Sequence, residues 1–458
     1  MTFETTERDG EPTVDVDTMV ARAVAAQRAF AHWSEERVDA LLGDIADCIA
    51  AHAAPLAVAT VAETGLGNVA DKTLKNRLAS QHIFHLLRGR PGSGVLRVDE
   101  RSGVAELAAP MGVIFGLVPR THPVATFVFK VLIALKARNA LIVSCHRAAQ
   151  EVGNTTGELI AGVLQAHGAP PHVVQWIRRR SDRRTTEQFM QHPQVAFILA
   201  TGGARMVRAA YSSGTPAIGV GPGNAPVWVC PDADPVVVAD MVLASKPFDN
   251  GILCASEHNL VVDRAIEPAF VAALERAGAL VLQPDEAEPF VAFAFEPDGH
   301  LHRSLHGQSA ARIVRAAGLR HADASDARLL VVPAGLDQVA GPLGREKLAP
   351  VVSLFTVSGD TEAFAVCQQI LANEGAGHTA IIHTADPARI DRFAREMPAS
   401  RILVNAPGVQ GTFGLTTGLT PSMTLGTGTF GGTSTTDAVS YTHLLNIKRV
   451  AYPTRQAA

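Results

Sequence analysis

From about residue 110 onward, short apolar runs alternate with stretches of helical periodicity, and this alternation constrains the fold more than any other feature. The first series of expected strands covers residues 113–118, 140–144, 173–177 and 195–199, with helices between them at about 122–136, 149–166 and 182–191. The second series of expected strands covers residues 227–230, 259–262, 329–332, 351–357, 379–383 and 402–405. Strands that are apolar throughout and separated by helices are typical of parallel sheets with helices on both faces. The sequence therefore predicts an α/β fold.

Three further segments lie outside this alternation. Residues 17–66 predict two helices, the first capped by Asp17 and the second opened by Ser34. Residues 92–109 predict a β-hairpin, and residues 441–452 alternate like a final strand. A two-stranded ribbon buries little surface alone. We therefore expect the hairpin to pack on another domain or subunit, and the tail is long enough to reach a neighbouring subunit.

Length and composition exclude several classes of function. The chain has 458 residues, 18% of them charged, and a formal net charge of −4, so a nucleic-acid partner is not expected. No apolar run long enough to span a membrane is free of breakers, and the N-terminus is acidic and polar, so we expect no membrane segment and a cytoplasmic location. Five scattered cysteines without a CxxC pair predict neither a metal site nor a disulfide framework.

Cys254 narrows the function most, and it lies in the segment KPFDNGILCASE at residues 246–257. A lone cysteine preceded by Asn250 and Gly251 and followed by small residues is typical of an exposed thiol on a tight turn. Among the common side chains, only a thiolate is nucleophilic enough to attack an aldehyde near neutral pH with little further activation. The alternative is a buried thiol that serves packing alone.

Two glycine-rich loops suit the binding of a nucleotide. In ATGGARMV (200–207) a strand leads into a helix, and Gly202 and Gly203 let the backbone approach a phosphate. The loop SSGTPAIGVGPGNAP (212–226) combines closely spaced glycines with prolines, which favours a rigid loop that passes close to a ligand or another backbone. The alternatives are an ordinary tight turn and a mobile linker.

Two ionisable residues stand in loops next to expected strands. Glu346 in REKLAP suits the hydroxyl groups of a ribose, and His378 in GAGHT stands beside glycines at a strand start. The alternatives are a surface charge and a structural histidine.

Taken in order, these segments resemble the CoA-acylating aldehyde dehydrogenases, including the aldehyde dehydrogenase half of bifunctional aldehyde-alcohol dehydrogenases. The resemblance begins near residue 17 and covers nearly the whole remaining chain. The matching stretches are PMGVIFGLVPRTHP (110–123), ATGGARMV (200–207), AAYSSGTPAIGVGPGNAP (209–226), SKPFDNGILCASE (245–257), EKLAP (346–350), GAGHTA (375–380), RILVNAPGVQG (401–411), PSMTLGTGTFGG (421–432) and HLLNIKRVA (443–451).

The resemblance implies an aldehyde-dehydrogenase fold with a Rossmann-like cofactor domain, an α/β catalytic domain and an oligomerisation hairpin. The expected cofactor domain comprises residues 1–91 and 110–223, and the expected catalytic domain comprises residues 224–432. Residues 92–109 and 433–458 are the expected oligomerisation hairpin and tail, in a homodimer or homotetramer.

By the same resemblance, Cys254 attacks the aldehyde to give a thiohemiacetal, hydride leaves to NAD or NADP, and a thioester remains. Catalytic roles are also assigned to His378, Thr121 and His122, where His122 replaces the asparagine of the family pattern PTTNP. Cofactor contacts are assigned to Ser144, Thr201, Gly202, Gly203, Gly221, Gly223, Asn224 and Glu346, and also to Arg178 and Arg179, which belong to a departure from the family pattern.

The resemblance also bears on how the acyl group leaves Cys254. Hydrolytic aldehyde dehydrogenases carry a water-activating glutamate upstream of the cysteine, in an ELGGK-like motif. Here the loop reads IGVGPGNAP, and Gly219 stands about where that glutamate would be. General-base catalysis contributes typically about 10²–10⁴-fold, so without it the thioester should persist until the thiol of coenzyme A attacks it. The predicted partners are coenzyme A and a small aldehyde or acyl-CoA.

Two departures from the family pattern bear on what the chain binds. We hypothesise that Arg120 and His122 make the pocket mouth cationic and favour an aldehyde with a carboxylate or sulfonate. The alternative is that Arg120 pairs with a local acid or with a phosphate of coenzyme A. Residues 178–184 contain five arginines in seven positions, which predicts better use of NADP or a tighter grip on the 3′-phosphate of coenzyme A. The alternative there is a solvated basic surface.

Three other functions stay open at the level of sequence. A hydrolytic aldehyde dehydrogenase would make a free acid without coenzyme A, and a relative of glutamyl phosphate reductase would use an acyl phosphate. A degenerate subunit would act as an inactive scaffold, against which the retention of Cys254, Glu346 and His378 speaks. No amphipathic peptide of the kind that targets relatives to bacterial microcompartments is visible in the first sixteen residues.

Overall fold

Two parallel β-sheets, one for each alternating series, form the centre of the computed structural model, which describes residues 15–179, 181–319 and 326–453. The helices are α1 (Val16–Phe30), α2 (Glu35–Ala51), α3 (Ala53–Thr64), α4 (Val69–Arg77), α5 (Ile83–Leu87), α6 (Pro123–Lys136), α7 (Gln150–Ala166), α8 (Arg183–Gln191), α9 (Ala204–Tyr211), α10 (Pro235–Ser245), α11 (Glu267–Arg276), α12 (Pro284–Ala294), α13 (Ala310–Ala316), α14 (Asp360–Asn373), α15 (Pro387–Glu396) and α16 (Gly408–Thr412). The strands are β1 (Gly94–Asp99), β2 (Val104–Pro110), β3 (Val113–Val118), β4 (Ala140–Cys145), β5 (Val174–Trp176), β6 (Val195–Thr201), β7 (Ala217–Val220), β8 (Ala225–Val229), β9 (Glu257–Asp263), β10 (Ala279–Val281), β11 (Leu329–Ala334), β12 (Val351–Val357), β13 (Gly377–His383), β14 (Ala399–Val404) and β15 (Leu445–Ala451). The predicted α/β fold is confirmed.

The first sheet has the strand order β5-β4-β3-β6-β7 and is parallel throughout. Every residue of β3 and β4 is buried, as expected for strands with helices on both faces. The buried Lys130 of α6 donates hydrogen bonds to the carbonyl oxygens of Leu117 and Leu199, each at 2.5 Å. It therefore joins the carboxyl ends of β3 and β6, where ligands bind in folds of this kind.

The second sheet has the order β10-β11-β12-β9-β8-β13-β14 and is also parallel. Separate apolar clusters cover its two faces, one around Trp228 and Phe364 and the other around Phe270 and Leu274. Burial of large side chains on both faces contributes about 1.5–3 kcal/mol for each, so the sheet is a rigid support for the loops at its ends.

The hairpin and the tail meet in a small antiparallel sheet. Strands β1 and β2 pair as predicted, and β15 pairs with β2 from Leu445 opposite Pro110 to Ala451 opposite Val104. The final strand is therefore confirmed, but its partner is the hairpin of its own chain. The assignment of this sheet to oligomerisation, and the predicted domain division as a whole, stay predictions.

The N-terminal region differs from the prediction in two details. Residues 17–66 form three helices, because α2 ends at Ala51 and α3 begins at Ala53 with no side-chain cap. The first helix is capped by Asp15, whose carboxylate accepts from the backbone of Thr18, whereas Asp17 lies inside the first turn. Ser34 caps α2 as predicted.

Three expectations concern the chain termini, membrane-spanning helices and metal sites. The acidic N-terminal residues 1–14, Arg180 and residues 454–458 lie outside the described residues. Within the described ranges no single helix is long and apolar enough to cross a membrane, although the bent pair α2 and α3 reaches that length and composition together. Likewise, the described residues contain no group of three or more His, Cys, Asp or Glu side chains placed to hold a metal ion.

Candidate active site

Cys254 lies in the turn that precedes β9, on the wall of a cavity of about 870 Å³. The cavity is lined from both halves of the chain, with loops that follow β3, β4 and β6 on one side and the turn of Cys254 on the other. Burial, followed by the nearby Glu346 carboxylate, raises the pKa of the Cys254 thiol to about 12, while Arg401 and backbone N–H groups act in the opposite sense. The thiol is therefore mainly protonated in the free protein near pH 7.

Three consecutive residues before the nucleophile have left-handed backbone conformations. Asp249, Asn250 and Gly251 have φ angles of 48°, 54° and 70°. Such a run costs free energy except where Gly, Asn or Asp stands, and these are the residue types present. The backbone N–H of Asp249 donates to Asp71 at 2.7 Å, and the Asn250 amide donates to the carbonyl of Gly307 at 2.9 Å. These hydrogen bonds fix the backbone conformation of the residues that precede Cys254.

Two buried lysines of α4 fix this run to the loop at residues 119–123. Lys72 donates to the carboxylate of Asp249 at 3.1 Å and to the carbonyl of Thr121 at 3.0 Å. Lys75 pairs with the same carboxylate and also lines the cavity. Burial, with the charge of Lys75 next, lowers the pKa of Lys72 to about 7. The lysine–aspartate cluster therefore joins the nucleophile turn to the loop that carries Thr121 and His122.

Two glycines allow three loops to stack behind Cys254. A Cβ atom on Gly223 would lie 2.0 Å from the carbonyl oxygen of Cys254, and one on Gly375 would lie 2.4 Å from the backbone nitrogen of Asn224. The backbone N–H of Gly223 donates to Glu346 at 3.0 Å. Burial, followed by the charge of Glu374, raises the pKa of Glu346. The glycine-rich loop, GAGHT and REKLAP are thus brought together around Cys254.

The other side of the cavity has the features of a nucleotide site. Gly202 and Gly203 connect β6 to α9, and a Cβ atom on Gly203 would meet nothing within 4 Å. The free N–H groups at the start of α9 suit a phosphate. Ser144, Thr201 and Gly221 line the same cavity. Its volume of about 870 Å³ lies within the typical range of about 300–1,000 Å³ for ligand and cofactor sites, so the residues present fit a dinucleotide.

Comparison with known proteins agrees with this geometry. The sequence model of the "Aldehyde dehydrogenase family" matches residues 6–294. The chain belongs to the aldehyde dehydrogenase family. It is 35% identical to a "Sulfoacetaldehyde dehydrogenase (acylating)" from Cupriavidus necator, over 96% of this chain and 89% of that protein. A crystal structure of an acetylating aldehyde dehydrogenase from Geobacillus thermoglucosidasius has a TM-score of 0.93 and 36% identity, covering 97% of each chain.

Another relative is considerably longer than this chain. The chain is 37% identical to the bifunctional aldehyde-alcohol dehydrogenase of Escherichia coli (strain K12), over 95% of this chain and 49% of that protein. The chain therefore spans about half the length of the bifunctional relatives that it matches. The predicted aldehyde dehydrogenase resemblance and fold are both confirmed.

In this member of the family, the PRTHP loop lies on the cavity wall, as the resemblance implied. Arg120, Thr121 and His122 all line the cavity. Burial first, and then the charges of Lys75 and Lys72, lower the pKa of His122 well below its usual value. Its Nδ1 atom is buried without a hydrogen-bond partner among the described residues. His122 is thus a neutral imidazole, so its predicted contribution to a cationic pocket mouth is wrong.

Several predicted site residues lie away from the cavity wall. Asn224 is fully buried, and its amide bonds to the carbonyls of Gly344 and Ile370 and to Asn259, so we expect no direct cofactor contact. Gly223 supports Cys254 from behind and does not line the cavity. His378 is buried behind the loop, with Nδ1 2.9 Å from the Thr379 hydroxyl, and burial lowers its pKa to about 3. Its catalytic role stays a prediction.

The two arginines predicted to bind the cofactor also lie outside the cavity wall. Arg178 stacks over Trp176 and pairs with Glu158 at 2.9 Å, and its side chain is exposed. Arg179 is exposed and does not line the cavity either. Arg183, which belongs to the predicted arginine run at residues 178–184, does line the cavity, as do Arg147 and Arg205, which the sequence did not single out.

The position of the missing water-activating base needs a correction. A Cβ atom on Gly219 would lie 2.6 Å from Val207, because this position faces α9 and not the cavity. The next residues, Val220 and Gly221, line the cavity. Neither carries a carboxylate, so the inference of a missing base holds at these positions and not at Gly219.

Proposed function

We propose that the chain catalyses the reversible reaction of an aldehyde, coenzyme A and NAD(P)+ to give acyl-CoA and NAD(P)H. The observation that carries this proposal is that Cys254 lines the cavity together with Val220 and Gly221, in the loop where the resemblance places the water-activating glutamate of hydrolytic relatives. The word "acylating" or "acetylating" in the names of two relatives supports it. Several relatives are about twice as long and bifunctional. The proposal therefore concerns only the aldehyde dehydrogenase reaction, which the aldehyde-dehydrogenase fold of this chain can catalyse.

Nucleophilic attack, oxyanion stabilisation and cofactor binding are assigned to different residues of the chain. The thiolate of Cys254 attacks the carbonyl carbon, and the resulting oxyanion needs a donor, for which the neutral imidazole of His122 is available. Bound NAD(P)+ supplies the hydride acceptor, and Gly202, Gly203 and the start of α9 would hold it. Cys254 then carries a thioester, which the thiol of coenzyme A attacks, so that the thioester bond is conserved and Cys254 is released.

Glu346 favours one competing function. It lines the same cavity, affects the pKa of Cys254 and has a raised pKa of its own. A carboxylate in that setting can act as a general base, and a hydrolytic enzyme would use it to activate water. In this chain the hydrogen bond from Gly223 occupies one of its oxygens, which suits the alternative role of binding ribose hydroxyls. A Glu346→Gln variant that lost CoA-independent acid formation would support the hydrolytic function.

The test is an assay of NAD(P)H formation with and without coenzyme A, over acetaldehyde, propanal, succinate semialdehyde and sulfoacetaldehyde. We expect turnover that requires coenzyme A and a product that is acyl-CoA. Equal rates without coenzyme A, with free acid as product, would refute the acylating function. We also propose a homodimer or homotetramer, for which the apolar exposure of β1 and β15 is the supporting observation. Five free cysteines suit the proposed cytoplasmic location.

A further inference from the structure

Basic side chains from both halves of the chain converge at one region of the cavity. Arg120 follows β3, and His146 and Arg147 follow β4 directly. Because β3 and β4 are neighbouring parallel strands, with Val118 opposite Cys145, these residues leave the same edge of the sheet side by side. From the other half of the chain, His306 reaches the guanidinium of Arg120, with Arg120 Nη2 3.2 Å from His306 Nδ1. Arg303 lies three residues earlier in the same segment.

These groups act on one another electrostatically. Burial, followed by the charge of Arg303, lowers the pKa of Arg120. Burial comes first for His146 as well, followed by Arg120 and Arg147. Burial again, with further lowering by Arg120 and Arg303, brings the pKa of His306 to about 4. Both histidines are therefore neutral near pH 7, and His306 can accept the hydrogen bond that Arg120 donates.

No carboxylate neutralises the three arginines. Among the described residues, Arg120, Arg147 and Arg303 form no ion pair. The acids on the cavity wall are engaged elsewhere: Asp182 caps α8, Glu187 pairs with Arg183 at 2.7 Å, and Glu346 accepts from Gly223. Arg120 is half-buried and Arg147 is exposed on the cavity wall, and a half-buried cation without a counter-ion is costly. This region is therefore suited to bind an anion.

We propose that Arg120 and Arg147, which both line the cavity, form an oxyanion subsite that binds a phosphate or sulfonate group of a reactant. Guanidinium groups bind such oxygens through paired, charge-assisted hydrogen bonds. Since Arg120 is hydrogen-bonded to His306, a bound oxyanion would also be held against the other half of the chain. This inference rests on the proposed function only for the identity of the reactant.

Three reactants could supply the oxyanion: coenzyme A, the dinucleotide and the aldehyde. The carboxyl ends of β3 and β4 are where nucleotides bind in parallel sheets, which favours a phosphate of coenzyme A or of the dinucleotide. An aldehyde with a sulfonate would offer the same chemistry. The sources differ in which reactant loses affinity when an arginine is removed.

The first experiment measures binding without turnover. The melting temperature of the full chain is followed with inorganic pyrophosphate and with chloride at equal ionic strength, because a ligand that binds the folded state raises it. We expect pyrophosphate to stabilise the wild type but not the Arg120→Met or Arg147→Met variants. Arg276→Met, an exposed arginine of α11 away from the cavity, is the matched control and should respond like the wild type. An equal response in all four proteins would overturn the subsite.

The second experiment identifies the source. If the oxyanion belongs to coenzyme A, Arg120→Met should raise KM for coenzyme A by roughly 10- to 100-fold, with little change for pantetheine, which carries no phosphate. If it belongs to the aldehyde, only sulfoacetaldehyde should lose kcat/KM relative to propanal. A loss confined to NADP+ and NAD+ would assign it to the dinucleotide. Equal losses for charged and uncharged reactants would overturn the proposal. If the Arg120→Met variant misfolds, the same comparison of reactants is made with Arg147→Met, since Arg147 is exposed and its replacement should not disturb folding.

A failure of the proposed function remains distinguishable from a failure of the subsite. Wild-type protein without CoA-dependent turnover would refute the acylating function, whereas pyrophosphate binding would still test the arginines.

Discussion

At the residue scale, the reactivity of Cys254 depends on its surroundings more than on its position in a turn. The thiol is partly exposed to the cavity, yet burial and the Glu346 carboxylate raise its pKa. The thiolate is the nucleophile, so activation requires removal of the proton after the reactants bind. Glu346, with its raised pKa, is the ionisable group beside the thiol that could take it.

The raised pKa of Cys254 predicts how the free protein reacts with iodoacetamide. Below a pKa of about 12, the thiolate fraction rises about tenfold for each pH unit. We expect the rate of inactivation to increase in that way from pH 7 to 9, measured as the loss of aldehyde-dependent NAD(P)H formation. A Cys48→Ser variant, which removes the other partly exposed cysteine, should give the same profile. A rate that levels off below pH 8 would contradict the raised pKa.

Because Gly219 faces α9 and Gly221 faces the cavity, a glutamate at Gly221 should affect catalysis, whereas a glutamate at Gly219 should affect stability. A Cβ atom on Gly221 meets nothing within 4 Å, whereas one on Gly219 meets Val207 and Tyr211. We expect Gly221→Glu to create CoA-independent acid formation, since a general base contributes about 10²–10⁴-fold. Gly219→Glu should lower the melting temperature without adding hydrolysis. Hydrolysis gained in Gly219→Glu alone would show that the correction is wrong.

At the scale of elements, helix α4 and the nucleophile turn depend on each other through one buried carboxylate. The side chain of Asp249 is fully buried and neutralises two buried lysines, Lys72 and Lys75. Lys72 also bonds to Thr121 in the loop of the predicted oxyanion donor. Helix α4 therefore helps to set the distance between the nucleophile and the predicted oxyanion donor.

An Asp249→Asn variant should be both less stable and less active. Asparagine keeps the shape and tolerates the left-handed backbone, but it leaves two buried cations without a partner, which typically costs about 3–5 kcal/mol. The measurements are thermal unfolding and kcat. Adding Lys75→Met removes one of the unpaired cations, so the double variant should recover part of the stability. Wild-type stability and kcat in Asp249→Asn would refute the dependence.

How far the sequence predicts the site differs between these elements. Most strands of both series were predictable, because continuous apolar runs between helical stretches are typical of a parallel sheet. The short edge strands β7 and β10 were not predicted. The separation of α2 from α3 was not, since α3 begins without a capping side chain. The left-handed run had a signal in Asp249-Asn250-Gly251, residue types that favour turns, but Lys72 and Lys75 had none. Arg178 was misplaced because its stacking on Trp176 and pairing with Glu158 are tertiary contacts.

At the scale of the whole molecule, the two parallel sheets meet at the cavity and the small antiparallel sheet lies apart from it. Its strands β1 and β15 are edges, and Val95, Val98 and Val450 are exposed on them. Exposed edges and apolar residues are typical of surfaces that pair with another chain. The tail strand thus serves its own hairpin, and the surface of the completed sheet is the candidate for subunit contact.

A truncation after Leu444 tests that role. Removal of β15 takes away the pairing with β2, so the sheet should lose its fixed surface and the assembly should dissociate. We expect a dimer or tetramer for the full chain and a smaller species for the truncated one, measured by light scattering after size exclusion. A full chain that is monomeric, or a truncated one that keeps its mass, would contradict the assignment.

The central claim, that an acyl group on Cys254 waits for coenzyme A and not for water, is tested most directly by intact-protein mass spectrometry. The full chain is mixed with propanal and NAD(P)+ without coenzyme A, the reaction is quenched in acid, and the protein mass is determined. The Cys254→Ser variant is the control. We predict a propionyl adduct on the wild type alone, which persists and then disappears as propionyl-CoA forms when coenzyme A is added. An adduct that decays to free propionate at the same rate with and without coenzyme A would contradict the account.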